Sequence, residues 1–197
     1  MGESEGGLFN VIAPIYNLFF NYQVKYYEKI LARVKNEIDV SQYESIIDIG
    51  CGTGALSQVL YEEGLKVTGI DAAQKMIKQA KKRLNKDINL VHASALEPIP
   101  FEDKSFDIAI SSYVIHGMKG YERQKAYAQM SRIAKHRVIV HDYNANRAIP
   151  TDLVEWLEGG DYFNFIKNAK AEMAQSFEEV QVINVGTRAA WYICTPQ

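Results

Sequence analysis

Two hydrophobic rhythms alternate along the chain. Apolar residues recur at helical spacing through Val24, Tyr27, Leu31, Val34 and Ile38, after which a continuous apolar run at 45–49 predicts a strand. The alternation continues with a helix over 54–63, a strand over 66–70, a helix over 73–84 and strands over 88–92 and 106–111. A helix over 121–133 and a strand over 137–141 follow. Within 73–84, Ala73, Met76, Ile77, Ala80 and Leu84 form one apolar face while the lysines turn outward. This rhythm predicts a Rossmann-like, doubly wound α/β sheet that is mostly parallel. The end departs from it: 180–185 and 190–194 alternate, carry β-branched residues and are joined by Gly186-Thr187-Arg188, which predicts an antiparallel hairpin.

Three stretches lie outside this frame. Met1–Gly7 is polar and glycine-rich and is expected to be disordered, and residues 8–40 are expected to form a helical cover. Residues 144–176 hold Leu153, Trp156, Leu157, Tyr162, Phe163, Phe165 and Ile166, split by Gly159-Gly160 into two expected helices. These helices either pack on the sheet or close over a substrate as a lid. At 197 residues the chain can bury a full core as one domain, 1–197.

Composition narrows the function classes. Lys and Arg number 22 against 24 acids, with no basic stripe of the kind that nucleic acid binding leaves. The lysines near 78–86 read as a solvated helix face. Two cysteines, Cys51 and Cys194, give neither a disulfide framework nor a metal-ligand spacing. The apolar run Val11–Phe20 is short and broken by Pro14 and Asn17, well under the about eighteen residues of a membrane span. The expected setting is the cytoplasm, without stable membrane insertion, without a metal, and with a small molecule and at most a second copy of the chain as partners.

The densest chemical signal is Ile46-Ile47-Asp48-Ile49-Gly50-Cys51-Gly52-Thr53-Gly54, where a strand breaks into alternating glycines and feeds a helix. Such a turn lets main chain approach a ligand at a helix N-terminus, because no Cβ intervenes. About twenty residues later, Val67-Thr68-Gly69-Ile70-Asp71 ends a second strand on an acid, where open α/β sheets hold the carboxylate that binds ribose hydroxyls. Gly50, Gly52 and Ala55 also satisfy the dinucleotide fingerprint, so the glycines alone admit a nicotinamide oxidoreductase. Asp48 tips the choice: a carboxylate opposes a pyrophosphate but suits a cationic amino group.

Asp48-Ile49-Gly50-Cys51-Gly52-Thr53-Gly54 resembles motif I of the class I S-adenosylmethionine-dependent methyltransferases. Residues 92–116, HASALEPIPFEDKSFDIAISSYVIH, resemble that family's stretch GDAxxLPFxDxSFDxVxSxxxLH. Phe9 to Asn17 is similar to the FDxxAxxYD opening of the quinone-biosynthesis C-methyltransferase branch. Ser94 stands in place of the family's adenine-binding Asp, Asn17 in place of an acid, and the Pro-Gly-Gly turn before the fifth strand is missing, which predicts a shorter or reshaped connection.

The resemblance implies S-adenosyl-L-methionine as cofactor and S-adenosyl-L-homocysteine as product. It further implies a cofactor site of Tyr16, Asp48, Gly50, Cys51, Gly52, Gly54, Asp71, Ala72, Met76, Ser94, Ala95 and Ser111. A non-catalytic binder of the same cofactor is the alternative outside enzymes. Tyr16 would close over the sulfonium, where an aromatic face is favourable. For the chemistry, Tyr113 and His116 follow the fourth strand and His141-Asp142 ends the fifth, so His116 is the leading base candidate with His141 and Tyr113 beside it. Absence of an Asp-Pro-Pro-Tyr motif there favours a small, partly apolar acceptor.

Overall fold

The computed structural model describes residues 19–146 and 160–197. The strands are β1 (Ser45–Ile49), β2 (Lys66–Asp71), β3 (Asn89–His92), β4 (Phe106–Ser112), β5 (Ala134–Tyr143), β6 (Glu179–Asn184) and β7 (Ala189–Thr195). They form one seven-stranded sheet in the order β3-β2-β1-β4-β5-β7-β6. The β1–β2, β2–β3 and β4–β5 pairs are parallel, and β7 runs antiparallel to both β5 and β6. This is the mixed, mostly parallel α/β sheet with the C-terminal hairpin that the periodicity predicts. The helices are α1 (Phe20–Val34), α2 (Ala55–Glu62), α3 (Gln74–Arg83), α4 (Gly120–Ile133) and α5 (Tyr162–Ser176). None of the described helices is long and apolar enough to cross a membrane.

The chain divides into two compact units that part between Pro100 and Phe101. In the first, Ile46, Ile47 and Ile49 of β1 are buried, and α1 packs on α2 through the predicted stripe. Tyr27, Leu31 and Val34 are buried as expected, and Ile30 joins them. Each fully buried aliphatic side chain contributes about 1.5–3 kcal/mol of transfer free energy. The Arg83 guanidinium lies 4.3 Å above the Phe20 ring, so one end of α3 covers the start of α1. Residues 8–18 of the expected helical cover, and Met1–Gly7 before them, lie outside the described residues.

In the second unit, α4 runs into β5 with no residue between them: Ile133 ends the helix and Ala134 begins the strand. The missing Pro-Gly-Gly turn is thus matched by a shorter connection. Strand β5 starts three residues before the predicted 137, because the polar run Lys135-His136-Arg137 hides its beginning. Lys135 Nζ donates to Asp107 Oδ1 at 3.3 Å, and an irregularity between Phe106 and Ile108 absorbs the change of register.

The second of the two helices expected in 144–176 is α5, with Tyr162, Phe165, Ile166, Ala169 and Met173 buried. The first falls on residues outside those described. An arginine ties α5 to α4, beside a hydrogen bond from Ser176 Oγ to Gln124 Oε1 at 2.8 Å. Arg123 is 1% exposed, and its Nε and Nη2 donate to the two oxygens of Glu172 at 2.6 and 2.7 Å. Its Nη1 donates to Asp161 Oδ2 at 2.9 Å and to the Met118 carbonyl at 2.6 Å. Just before α5 the chain passes so close to the His116 turn that a Cβ on Gly160 would stand 3.0 Å from Gly117 Cα.

Candidate functional site

The glycine loop of the first unit is built largely from its own main chain. Gly50 and Cys51 both donate their N–H to the Ile70 carbonyl, at 2.8 and 2.9 Å, and Gly54 N donates to the Cys51 carbonyl at 2.9 Å. Gly52 N donates to Asp71 Oδ2 at 2.8 Å. These four N–H groups are therefore engaged within the protein, so the glycines act mainly by what they lack. Gly52 has φ +55°, and a Cβ there would project into space with no atom within 4 Å. Gly54 has φ +85°, and its Cβ would stand 2.3 Å from Leu84 Cδ1, so α2 can start where it does only on glycine.

Two carboxyl groups frame this loop. Asp48 is 1% exposed and its Oδ2 accepts from Ser57 Oγ at 2.6 Å. Burial pushes its pKa up to about 7, against the pull of the Ser57 hydroxyl, with repulsion from Asp71 adding to the rise. Asp71 accepts from Ala73 N at 2.7 Å through Oδ1 as well as from Gly52 N, so one carboxylate shapes both the turn into α3 and the glycine loop. Burial raises its pKa too, opposed by those two backbone donors. Cys51 is a buried thiol whose pKa burial pushes well up, with the two acids adding to the effect; it is a packing residue rather than a nucleophile.

The remaining candidates of the first unit stand close along the chain to this frame. Ala72 is exposed, and its carbonyl lies 2.9 Å from His92 Nε2. Met76 and Ala73 are buried together at the start of α3. Ser94 Oγ accepts from Leu96 N at 3.1 Å, forming a tight turn that buries Ala95. Tyr16 lies outside the described residues.

The second unit brings the chemical candidates together at the ends of β4 and β5. Asp142 is fully buried and meets three donors: His116 Nδ1 at 2.7 Å from Oδ1, His116 N at 3.1 Å from Oδ2, and Tyr143 N at 2.8 Å from Oδ1. His116 thus sits in a short turn, Ile115–Gly117, with both its ring and its main chain held by one carboxylate. His141 points elsewhere, since neighbouring strand residues face opposite sides of the sheet. Its Nδ1 lies 3.0 Å from Ser112 Oγ, and burial pushes its pKa down to about 4, partly offset by Asp142.

Tyr113 bridges the two histidine groups. It is a non-glycine residue at φ 53°, held there by its N–H donating to the His141 carbonyl at 2.9 Å. Its ring centroid is 4.8 Å from that of His141 and 5.3 Å from that of Tyr143, and the Tyr143 ring is 4.8 Å from His116 and 5.1 Å from Tyr162. Ser111 is fully buried in β4. Among the described residues no group of three or more His, Cys, Asp or Glu is placed to hold a metal ion.

Sequence reasoning named His116 and placed Asp142 beside His141, but not the pairing of His116 with Asp142. The parallel register Ser112↔His141 was the available signal: it puts the turn after β4 next to the residue after His141. Tyr143 and Tyr162 carried no motif, and only their aromatic character marked them.

A family model described as a methyltransferase domain matches residues 47–140. The chain is 32% identical over 138 residues to a ubiquinone/menaquinone biosynthesis C-methyltransferase of Campylobacter jejuni, covering 64% of this chain and 57% of that protein. The chain therefore spans a little over half the length of that relative. The fold matches an S-adenosyl-L-methionine-dependent methyltransferase of Methanococcus maripaludis with a TM-score of 0.73 at 20% identity, over 100% of this chain and 97% of the other. It also matches human N-acetylserotonin methyltransferase, solved in complex with S-adenosylmethionine, with a TM-score of 0.70 at 16% identity over 100% of this chain and 61% of that one.

Proposed function

We propose that this chain, which matches a methyltransferase-domain model over residues 47–140, is an S-adenosylmethionine-dependent methyltransferase that transfers a methyl group to a small, partly apolar acceptor with His116 as the base. The observation that carries the reading is a buried carboxyl group, Asp48, under a loop whose central glycine leaves open space where a side chain would stand. That arrangement fits the cofactor: Asp48 suits its amino group, the Gly50–Gly54 turn its approach to main chain, and Asp71 its ribose hydroxyls. Bound there, S-adenosylmethionine supplies an activated methyl group.

The chain's own residues have two tasks. The first unit holds and orients the cofactor. In the second, Asp142 accepts the Nδ1 proton of His116 and so assigns the lone pair to Nε2, an assignment made from the hydrogen-bond network. Nε2 can then take a proton from an acceptor heteroatom. His141 is buried and its pKa is depressed, so its part is to hold Ser112 and to pack against Tyr113. Product formation from S-adenosylmethionine with a panel of small hydroxylated and aminated acceptors tests the reading. His116→Gln should lower kcat by about 10²–10⁴ while leaving S-adenosylhomocysteine affinity unchanged. Unchanged kcat would remove His116 from the chemistry.

A further inference from the structure

Arg188 stands out because it has no counter-charge among the described residues. It precedes β7 in the turn after β6; its Nη1 is buried without a hydrogen-bond partner, and no carboxylate among the described residues pairs with it. The buried charges described in this unit are matched: Arg123 by Glu172 and Asp161, Asp107 by Lys135, and Asp142 by three donors. Withdrawing a guanidinium nitrogen from water without a partner costs stability, and such groups persist where a ligand supplies what the protein does not.

Its position gives that ligand an identity. Asn144 N donates to the Arg188 carbonyl at 3.1 Å, so Arg188 lies across from the residue two beyond Asp142. With strands about 4.8 Å apart and about 3.3 Å of rise per residue, the main chains at Arg188 and Asp142 are separated by roughly 8 Å, the length of one small molecule. Asp142 holds His116, and the half-buried rings of Tyr113 and Tyr143 stand beside it. The turn is braced independently of Arg188's side chain: Asn144 Nδ2 donates to Asn184 Oδ1 at 3.0 Å, and Asn146 Nδ2 to the Thr187 carbonyl at 2.8 Å. The guanidinium is therefore not needed to hold its own loop.

We infer that the acceptor carries an anionic group, a carboxylate in the simplest case, which Arg188 holds while the atom to be methylated meets His116. This rests on the reading of His116 as the base. A guanidinium binds a carboxylate through two parallel N–H donors, which fixes orientation as well as charge.

The test uses the full chain saturated with S-adenosylhomocysteine and two probes that differ only in charge, 3-hydroxybenzoate and 3-hydroxybenzamide, titrated by calorimetry. The carboxylate should bind at least about tenfold more tightly than the amide, as expected of a charge-assisted contact. Arg188→Gln should erase that preference without changing amide or S-adenosylhomocysteine affinity, and Arg188→Lys should restore part of it. Thermal unfolding of Arg188→Gln should stay level or rise, because no internal bond is lost. No preference for the carboxylate, a preference that survives in Arg188→Gln, failure of the carboxylate to bind at millimolar concentration, or a fall of several degrees on substitution would each overturn the assignment. An active enzyme that needs His116 but shows no charge preference would sink this inference alone, whereas turnover indifferent to His116→Gln would sink the reading beneath it.

Discussion

Asp71 does two jobs with one side chain, and they can be separated. Its two oxygens accept from Ala73 N and Gly52 N, so it braces the glycine loop before any ligand arrives. Asp71→Asn keeps one acceptor oxygen, whereas Asp71→Ala removes both; the alanine variant should weaken S-adenosylhomocysteine binding by about 1–3 kcal/mol, with the asparagine variant falling between, as calorimetry would show. Asp48 makes a different prediction. With its pKa pushed up to about 7, it is largely protonated near pH 6 in the free protein. A cationic amino group bound beside it favours the ionised form, so binding should release a proton between about pH 5 and 7. Titrations in buffers of different ionisation enthalpy measure that release, and heats independent of buffer would take Asp48 out of contact with the ligand.

At the scale of elements, the strands, helices and glycine loop were legible because each is encoded locally. Runs of β-branched residues, a helical stripe and the Gly50–Gly54 turn need no distant partner to be recognised. The dyad of His116 with Asp142 was not, because it depends on two strands in register and on a turn drawn back over the sheet. The start of β5 was hidden for a related reason: Lys135 and His136 look like loop until Asp107 on the neighbouring strand is placed beside them. Arg123 was equally unreadable, since an arginine in a helix is ordinarily solvated, yet here its fork is buried against Glu172 and Asp161. Arg123→Met should cost about 2–4 kcal/mol, less than a fully buried pair because both acids keep partial access to water. For a chain of this size that is a fall of roughly 5–15 °C in Tm. Gly54→Ala should combine a left-handed φ with a clash on Leu84 and lose at least about 1 kcal/mol of stability by denaturant unfolding.

For the whole molecule, two buried groups oppose each other in acid. Folding raises the Asp48 pKa from 3.8 to about 7, so the folded state binds a proton that the unfolded state does not, and stability falls as pH rises through that window. Folding lowers the His141 pKa from 6.5 to about 4, so the unfolded state binds the extra proton, and stability falls as pH drops through 6.5 toward 4. The two slopes overlap and partly cancel. Asp48→Asn should leave a stability that climbs with pH between about 4 and 6.5, and His141→Gln one that declines from 4 to 7. Denaturant midpoints at a few pH values would show both.

The direct passage from Ile133 into Ala134 leaves the chain no slack at that joint. Inserting a single residue there would advance β5 by one position against its neighbours and exchange the sides that consecutive side chains occupy. His116 would then confront the imidazole of His141 instead of a carboxylate, and Ser112 would face the apolar Val140 in place of that imidazole. The chemistry of this end of the sheet is thus timed by a seam more than twenty ångströms upstream along the strand, at about 3.3 Å for each residue between.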